Sequence, residues 1–207
     1  MKIATDKKTI GCGLIVLFSI FLVNVFIGSI PLMPDTALHK IRDWWFLVSK
    51  IIQAGAVLFI AFNGQSQSSI FCKVGACLYA ILMLMLISNK LVFNDSGKYF
   101  MYFPGVSEYI NSLLFFAPGL LLLVWGLSKL WLPIKLVTTL SVVISVIRDI
   151  IWAQLIQMSM YQNYSFEQTE SLYNFIGILF GINVVVTVAL VVLSIVWICL
   201  REKTPSV

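Results

Sequence analysis

Six apolar runs, each about the ~20 residues needed to cross a bilayer, recur along the chain and leave few folds open to it. They cover residues 10–30, 44–62, 70–93, 109–131, 136–158 and 172–200. A bilayer offers no partner to backbone N–H and C=O groups, so segments of this kind fold as helices whose hydrogen bonds close internally. The reading is all-α: a polytopic membrane helix bundle with about six transmembrane helices. Composition points the same way, with 60% of the 207 residues hydrophobic and 11% charged. A soluble domain is about 45–50% apolar and about 25% charged. The connections leave no room for a soluble module, so residues 1–207 read as a single integral membrane domain.

The first run follows Lys2, Lys7 and Lys8 and so has the outline of a secretory signal. It is longer than the ~7–15-residue apolar core of such signals and lacks a small-x-small cleavage site. It reads as a retained span, ended by Pro31 and Pro34, after which Asp35 caps a short helix carrying His39 into Trp44 and Trp45. Lone His39 is placed like an interfacial residue, as are Tyr99, Phe100, Tyr102 and Phe103. Pro118-Gly119 predicts a kink inside the fourth span, and Pro133 marks a tight connection into the fifth.

Six spans put both termini on one side. With the termini in the cytosol, Lys2, Lys7, Lys8, Lys73, Lys129, Lys135, Arg201 and Lys203 lie inside, against Lys40, Arg42, Lys90 and Lys98 outside. That asymmetry follows the positive-inside rule and gives an N-in/C-in protein of a plasma or bacterial inner membrane. The net charge of +5 belongs to these flanking lysines and arginines, and no basic run suggests a nucleic-acid partner.

The fifth span carries Arg148 and Asp149 at membrane depth. A charge there costs about 2.5–3.5 kcal/mol on insertion scales and is kept with a partner or in a wet cavity. On a helix, Thr138, Ser141, Ser145, Arg148 and Trp152 form one stripe. Arg148 and Asp149 point about 100° apart, so they are not expected to neutralise each other, and Lys50 on the second span lies at a depth that meets Asp149. Gln53, Asn24 and Asn111, with Ser88, Gln154 and Asn174, also fall in the outer halves of their spans. The functional reading is an outward-facing polar vestibule with Lys50, Arg148, Asp149, Gln53, Asn24 and Asn111 as candidate binding residues. The structural reading of the same residues is a clamp of buried charges.

Other chemistry finds little support. Cys12, Cys72, Cys77 and Cys199 all fall in cytosolic halves, where disulfides are not expected, and Cys72 and Cys77 lack the spacing of a redox pair. One histidine argues against a histidine metal centre or bis-histidine haem. No phosphate-loop, nucleophile-elbow or zinc-protease motif is present. No catalytic residue, metal or cofactor is therefore expected. Two N-x-S sequons begin at Asn94 and Asn163, both in expected outer loops.

Three function classes remain: a solute or ion transport or binding component; a non-catalytic subunit, assembly factor or immunity-type protein that binds a protein partner; and an intramembrane enzyme built on Asp149 with Arg148 or Lys50. Buried charges and a kinked span favour the first. The bilayer is the first partner, and Gly177 and Gly181 form a G-x-x-x-G pair suited to close packing with another helix or to self-association. On a cysteine-free background, single cysteines at Ser96 and Ser165 should label from outside and those at Ser66 and Lys203 from inside. Reversed accessibility of either pair defeats the orientation.

Overall fold

The structure, a computed structural model, describes residues 2–29, 37–63, 68–93, 112–161 and 166–200. Helices α1 (Lys2–Ser29), α2 (Ala37–Asn63) and α3 (Ile70–Phe93) are followed by a π-helical turn, Ser112–Phe116, that runs directly into α4 (Ala117–Trp125). The chain ends with α5 (Leu132–Tyr161) and α6 (Phe166–Cys199). Five of these helices are long and apolar enough to cross a membrane, and the fourth is the short apolar helix Leu113–Trp125.

Several boundaries differ from expectation for local reasons. The short helix expected to lead into Trp44 and the second span are one continuous helix, α2. Pro133 does not sit in a connection but in the first turn of α5, where a missing N–H leaves no bond unmade. The fourth helix stops at Trp125, short of residue 131, and Gly126 to Trp131 turn tightly. Leu127 N–H bonds Val124 C=O at 3.4 Å, and Leu130 N–H bonds Leu127 C=O at 3.3 Å. The irregularity expected at Pro118 lies one turn earlier: proline cannot donate, and the π-helical turn of 112–116 takes up the mismatch.

The helices form a ring. Among the described residues every extensive helix–helix contact joins sequence neighbours, and α6 returns to pack along α1. The closing seam has a polar clasp: Lys7 Nζ donates to the Leu200 carbonyl and lies 5.7 Å from the centre of the Trp197 ring. The start of α1 and the end of α6 therefore share one end of the ring. On the outer surface Val16, Phe26, Ile51, Phe59, Val143 and Val185 are exposed, as suits helices facing lipid.

At the end that bears the termini the ring is filled. Leu14, Leu17, Val57, Ile60, Ala76, Leu123, Leu127 and Ile134 are all fully buried there. Between helices in lipid the apolar effect contributes little, so close packing holds them together. Glycine supplies that closeness where α3 meets α4. A Cβ on Gly75 would sit 2.5 Å from Leu123 N, and one on Gly119 would sit 3.0 Å from Tyr79 N. A Cβ on Gly126 would strike the backbone of Cys72, and Ser69 N–H donates to Gly126 C=O at 3.0 Å. Gly11 and Gly13 admit Ile198 of α6 and Ile60 of α2 in the same way.

Gly177 and Gly181 behave differently: both are exposed, and a Cβ on either would meet nothing within 4 Å. Among the described residues, the pair packs against no helix of this chain. Gly75→Ala and Gly126→Ala should each destabilise the bundle by about 1–3 kcal/mol, the usual scale of overpacking. Gly177→Ala and Gly181→Ala should leave stability unchanged or raise it slightly through helix propensity. Thermal unfolding in detergent distinguishes the pairs, and equal effects would remove the glycine seam.

Candidate functional site

The other half of the ring is not filled. It encloses a cavity of about 600 Å³ to which all six helices contribute. Its deepest residues are Phe18, Tyr79, Leu120, Thr138 and Leu190, directly above the packed floor, and it extends toward Val25, Phe46, Leu86, Trp152 and Ile176. The stripe expected on α5 is realised in full, since Thr138, Ser141, Ser145, Arg148 and Trp152 all line it. Placement follows from the helical repeat, which turns those five positions toward the ring's interior.

Arg148 and Asp149 do neutralise each other, contrary to the expectation from their angular offset. Arg148 Nη2 and Nε donate to the same oxygen, Asp149 Oδ1, at 2.8 and 3.0 Å. Their Cα positions diverge, but the arginine side chain is long enough to curl across the offset and bring its planar fork to the neighbouring carboxylate. The two side chains keep 30% and 20% of their surface accessible, so the pair is only partly desolvated.

Lys50, expected to pair with Asp149, lines the same cavity without that ion pair. Its ammonium lies 5.0 Å from the centre of the Phe46 ring, one turn away on α2. An ammonium over an aromatic face is attracted to the ring's negative quadrupole, a contact worth about 0.5–2 kcal/mol. It supplies no hydrogen-bond acceptor.

The remaining expected site residues separate. Gln53 is fully buried one turn below Lys50, where its Oε1 accepts from the Tyr79 hydroxyl at 3.4 Å and its Nε2 has no protein partner. Asn24 joins α1 to α2 instead, with its Oδ1 accepting from Trp45 Nε1 at 2.9 Å. Asn111 lies outside the described residues. Ser88, Gln154 and Asn174 are exposed on the outside of the ring and so contribute nothing to a vestibule. Cys12, Cys77 and Cys199 are exposed free thiols, and Cys72 is a buried one.

Two residues of α6 were not foreseen. Asn183 accepts from Ser141 Oγ at 2.8 Å and donates through Nδ2 to Ser145 Oγ at 3.0 Å, so one amide bridges two hydroxyls of the α5 stripe. Thr187, one turn along, also lines the cavity and donates to the Asn183 carbonyl at 2.7 Å. The signal was present as the run Ile176, Phe180, Asn183, Thr187 and Leu190, whose alternating spacings of four and three make a second interior stripe.

The cavity thus has two unlike walls. Phe18, Phe21, Leu82, Phe116 and Leu120 give α1, α3 and α4 an apolar, largely aromatic face. Phe116 holds that wall together, with ring centroids 6.3 Å from Phe21 and 6.2 Å from Tyr79. Helices α5 and α6 supply hydroxyls, an amide and the charged pair. No protein-family model, curated protein or solved structure matches this chain, so the geometry alone carries the reading.

Asp149→Asn should destabilise the bundle by about 1–3 kcal/mol, less than for a fully buried pair because both groups retain solvent. The double change Arg148→Gln with Asp149→Asn should cost less than the two single changes combined. A double-mutant cycle in thermal unfolding measures this, and strict additivity would show that the ion pair stabilises nothing.

Proposed function

We propose that this chain is a multi-pass membrane protein that receives a small molecule in the cavity of the half-ring remote from its termini. The observation that carries the reading is a cavity lined by Lys50, Arg148 and Asp149 that ends on a packed apolar floor. Ligand sites commonly have volumes of about 300–1,000 Å³, apolar walls and a few placed polar groups; this cavity has about 600 Å³ and that mixture of walls. The lysine and arginine asymmetry of the loops supports cytosolic termini, which puts the cavity on the outer side of a plasma or bacterial inner membrane. On this reading Lys50, Arg148 and Asp149 are ligand-facing, and Gln53 braces Tyr79 beneath them. Asn24 acts as a clasp, and Asn111 keeps its place as a sequence candidate. The protein is a binding or transport component.

Binding is favoured over catalysis by the state of the cavity's hydroxyls. Thr138 donates to the Ile134 carbonyl at 2.8 Å and Thr187 to that of Asn183, while Ser141 donates to the Asn183 amide. None of these is held against a base that would activate it as a nucleophile. A second reading, assembly with another membrane protein or another copy, is favoured by the open face around Gly177 and Gly181. There, bulky replacements would lower any association without disturbing the fold.

The experiment is accessibility. On a cysteine-free background, Ser141→Cys should react with a small membrane-impermeant thiol reagent added to the outer side, and Val57→Cys in the floor should not. A Ser141→Cys that reacts from neither side makes the cavity a closed structural void and leaves the partner-binding reading. Reaction from the side of the termini reverses the orientation.

A further inference from the structure

Within that binding reading, the ligand's chemistry follows from counting which polar groups of the cavity already have partners. The hydroxyls of Thr138, Ser141 and Thr187 and the amide of Asn183 are committed to carbonyls and to one another. The Tyr79 hydroxyl is committed to Gln53. Arg148 uses Nε and Nη2 on one oxygen of Asp149, which leaves the Nη1 edge of its guanidinium. Among the described residues, the Lys50 ammonium, with three donors, has only the Phe46 ring against it.

What the Lys50 ammonium lacks, among the described residues, is therefore an acceptor. The described residues that line the cavity carry Lys50 and Arg148 against Asp149, a surplus of one positive charge. A cation kept in a low-dielectric enclosure without a counter-ion is costly, so the missing group is negatively charged as well as accepting. The opposite wall sets the rest of the molecule, because Phe18, Phe21, Leu82, Phe116 and Leu120 offer no polar atom to it.

We infer that the cavity takes an amphiphilic organic anion, its single negative group between Lys50 and the outer edge of Arg148, its apolar body on the aromatic wall. The anion comes either from a free carboxylic acid with a hydrocarbon chain or from the headgroup of a single-chain anionic lipid. The chemistry recognised is the same.

The test uses the full chain in zwitterionic phosphatidylcholine nanodiscs, with oleate and oleyl alcohol as probes of equal chain and different charge, and native mass spectrometry as readout. Oleate should bind one per chain and about tenfold or more tightly than the alcohol, the scale of one charge-assisted hydrogen bond. Lys50→Gln should abolish the preference and Lys50→Arg should keep it. Equal binding of acid and alcohol by the unaltered chain overturns the anion inference while leaving the binding cavity intact. Binding of neither overturns the binding reading itself. An acid preference that survives Lys50→Gln also overturns the inference, because the counter-ion is then elsewhere. Displacement of oleate by lysophosphatidylglycerol assigns the ligand to the lipids, and failure to displace assigns it to free acids; either result supports the recognised chemistry.

Discussion

The architecture depends on how closely the helices approach one another, and side-chain size sets that approach differently at the two ends. Near the termini the ring's inner surface is built from Gly11, Gly13, Ala56, Gly75, Ala76, Gly119 and Gly126, with aliphatic side chains inserted between them. Without a Cβ at the contact, backbones come together until no void remains. Toward the other end the interior positions are Phe21, Phe46, Phe116, Trp152 and Phe180. Rings of that size fill only part of the space and hold the helices apart, so the ring stays open. A floor and a chamber follow from one gradient of residue volume.

That gradient also explains how a charged pair is retained. In the filled half Arg148 and Asp149 would need a partner on every side; in the open half they pair with each other and border the cavity. Pairing adjacent residues on one helix makes the neutralisation independent of how the ring closes, because the partner travels with the charge. Lys50 has no such companion on α2. Its depth is shared with the pair, but among the described residues no ion pair answers its charge, which leaves the charges of the cavity's lining unequal.

Much of this was legible in the sequence, and the parts that were not share a cause. The helices and the α5 stripe follow from hydropathy and the 3.6-residue repeat, which are properties of one segment at a time. Pairing is a property of two segments, or of side-chain reach. Angular offset at Cα separates Arg148 from Asp149, yet arginine's length defeats that rule. Depth along the membrane puts Lys50 level with Asp149, yet depth carries no information about distance around a ring. Asn24 and Asn174 have the same depth argument as Lys50; one turned toward a neighbouring helix and the other outward. Asn183 stands alone in a run of valines and isoleucines, although its spacing from Phe180 and Thr187 marks the interior face. The G-x-x-x-G pair suggested a close helix contact, but no described helix packs on it; the internal close contacts belong to Gly75, Gly119 and Gly126, which have no such motif.

On the proposed binding reading, the floor constrains how the chamber could release a ligand. A charged group carried past Leu17, Val57, Ala76 and Leu123 would leave Lys50 and Arg148 behind and enter packing with no polar partner, at a cost of several kcal/mol. Opening a route there means separating α3 from α4, where backbone already lies against backbone. The α4–α5 seam is held more lightly, by Trp125 Nε1 donating to Thr139 Oγ1 at 3.0 Å and by Lys135 5.6 Å from the Trp125 ring. Both contacts lie at the exposed edge of the bundle, and α4 is the shortest helix of the ring. A motion that widens the ring therefore meets least resistance between α4 and α5, beside the polar stripe, and leaves the glycine seam shut.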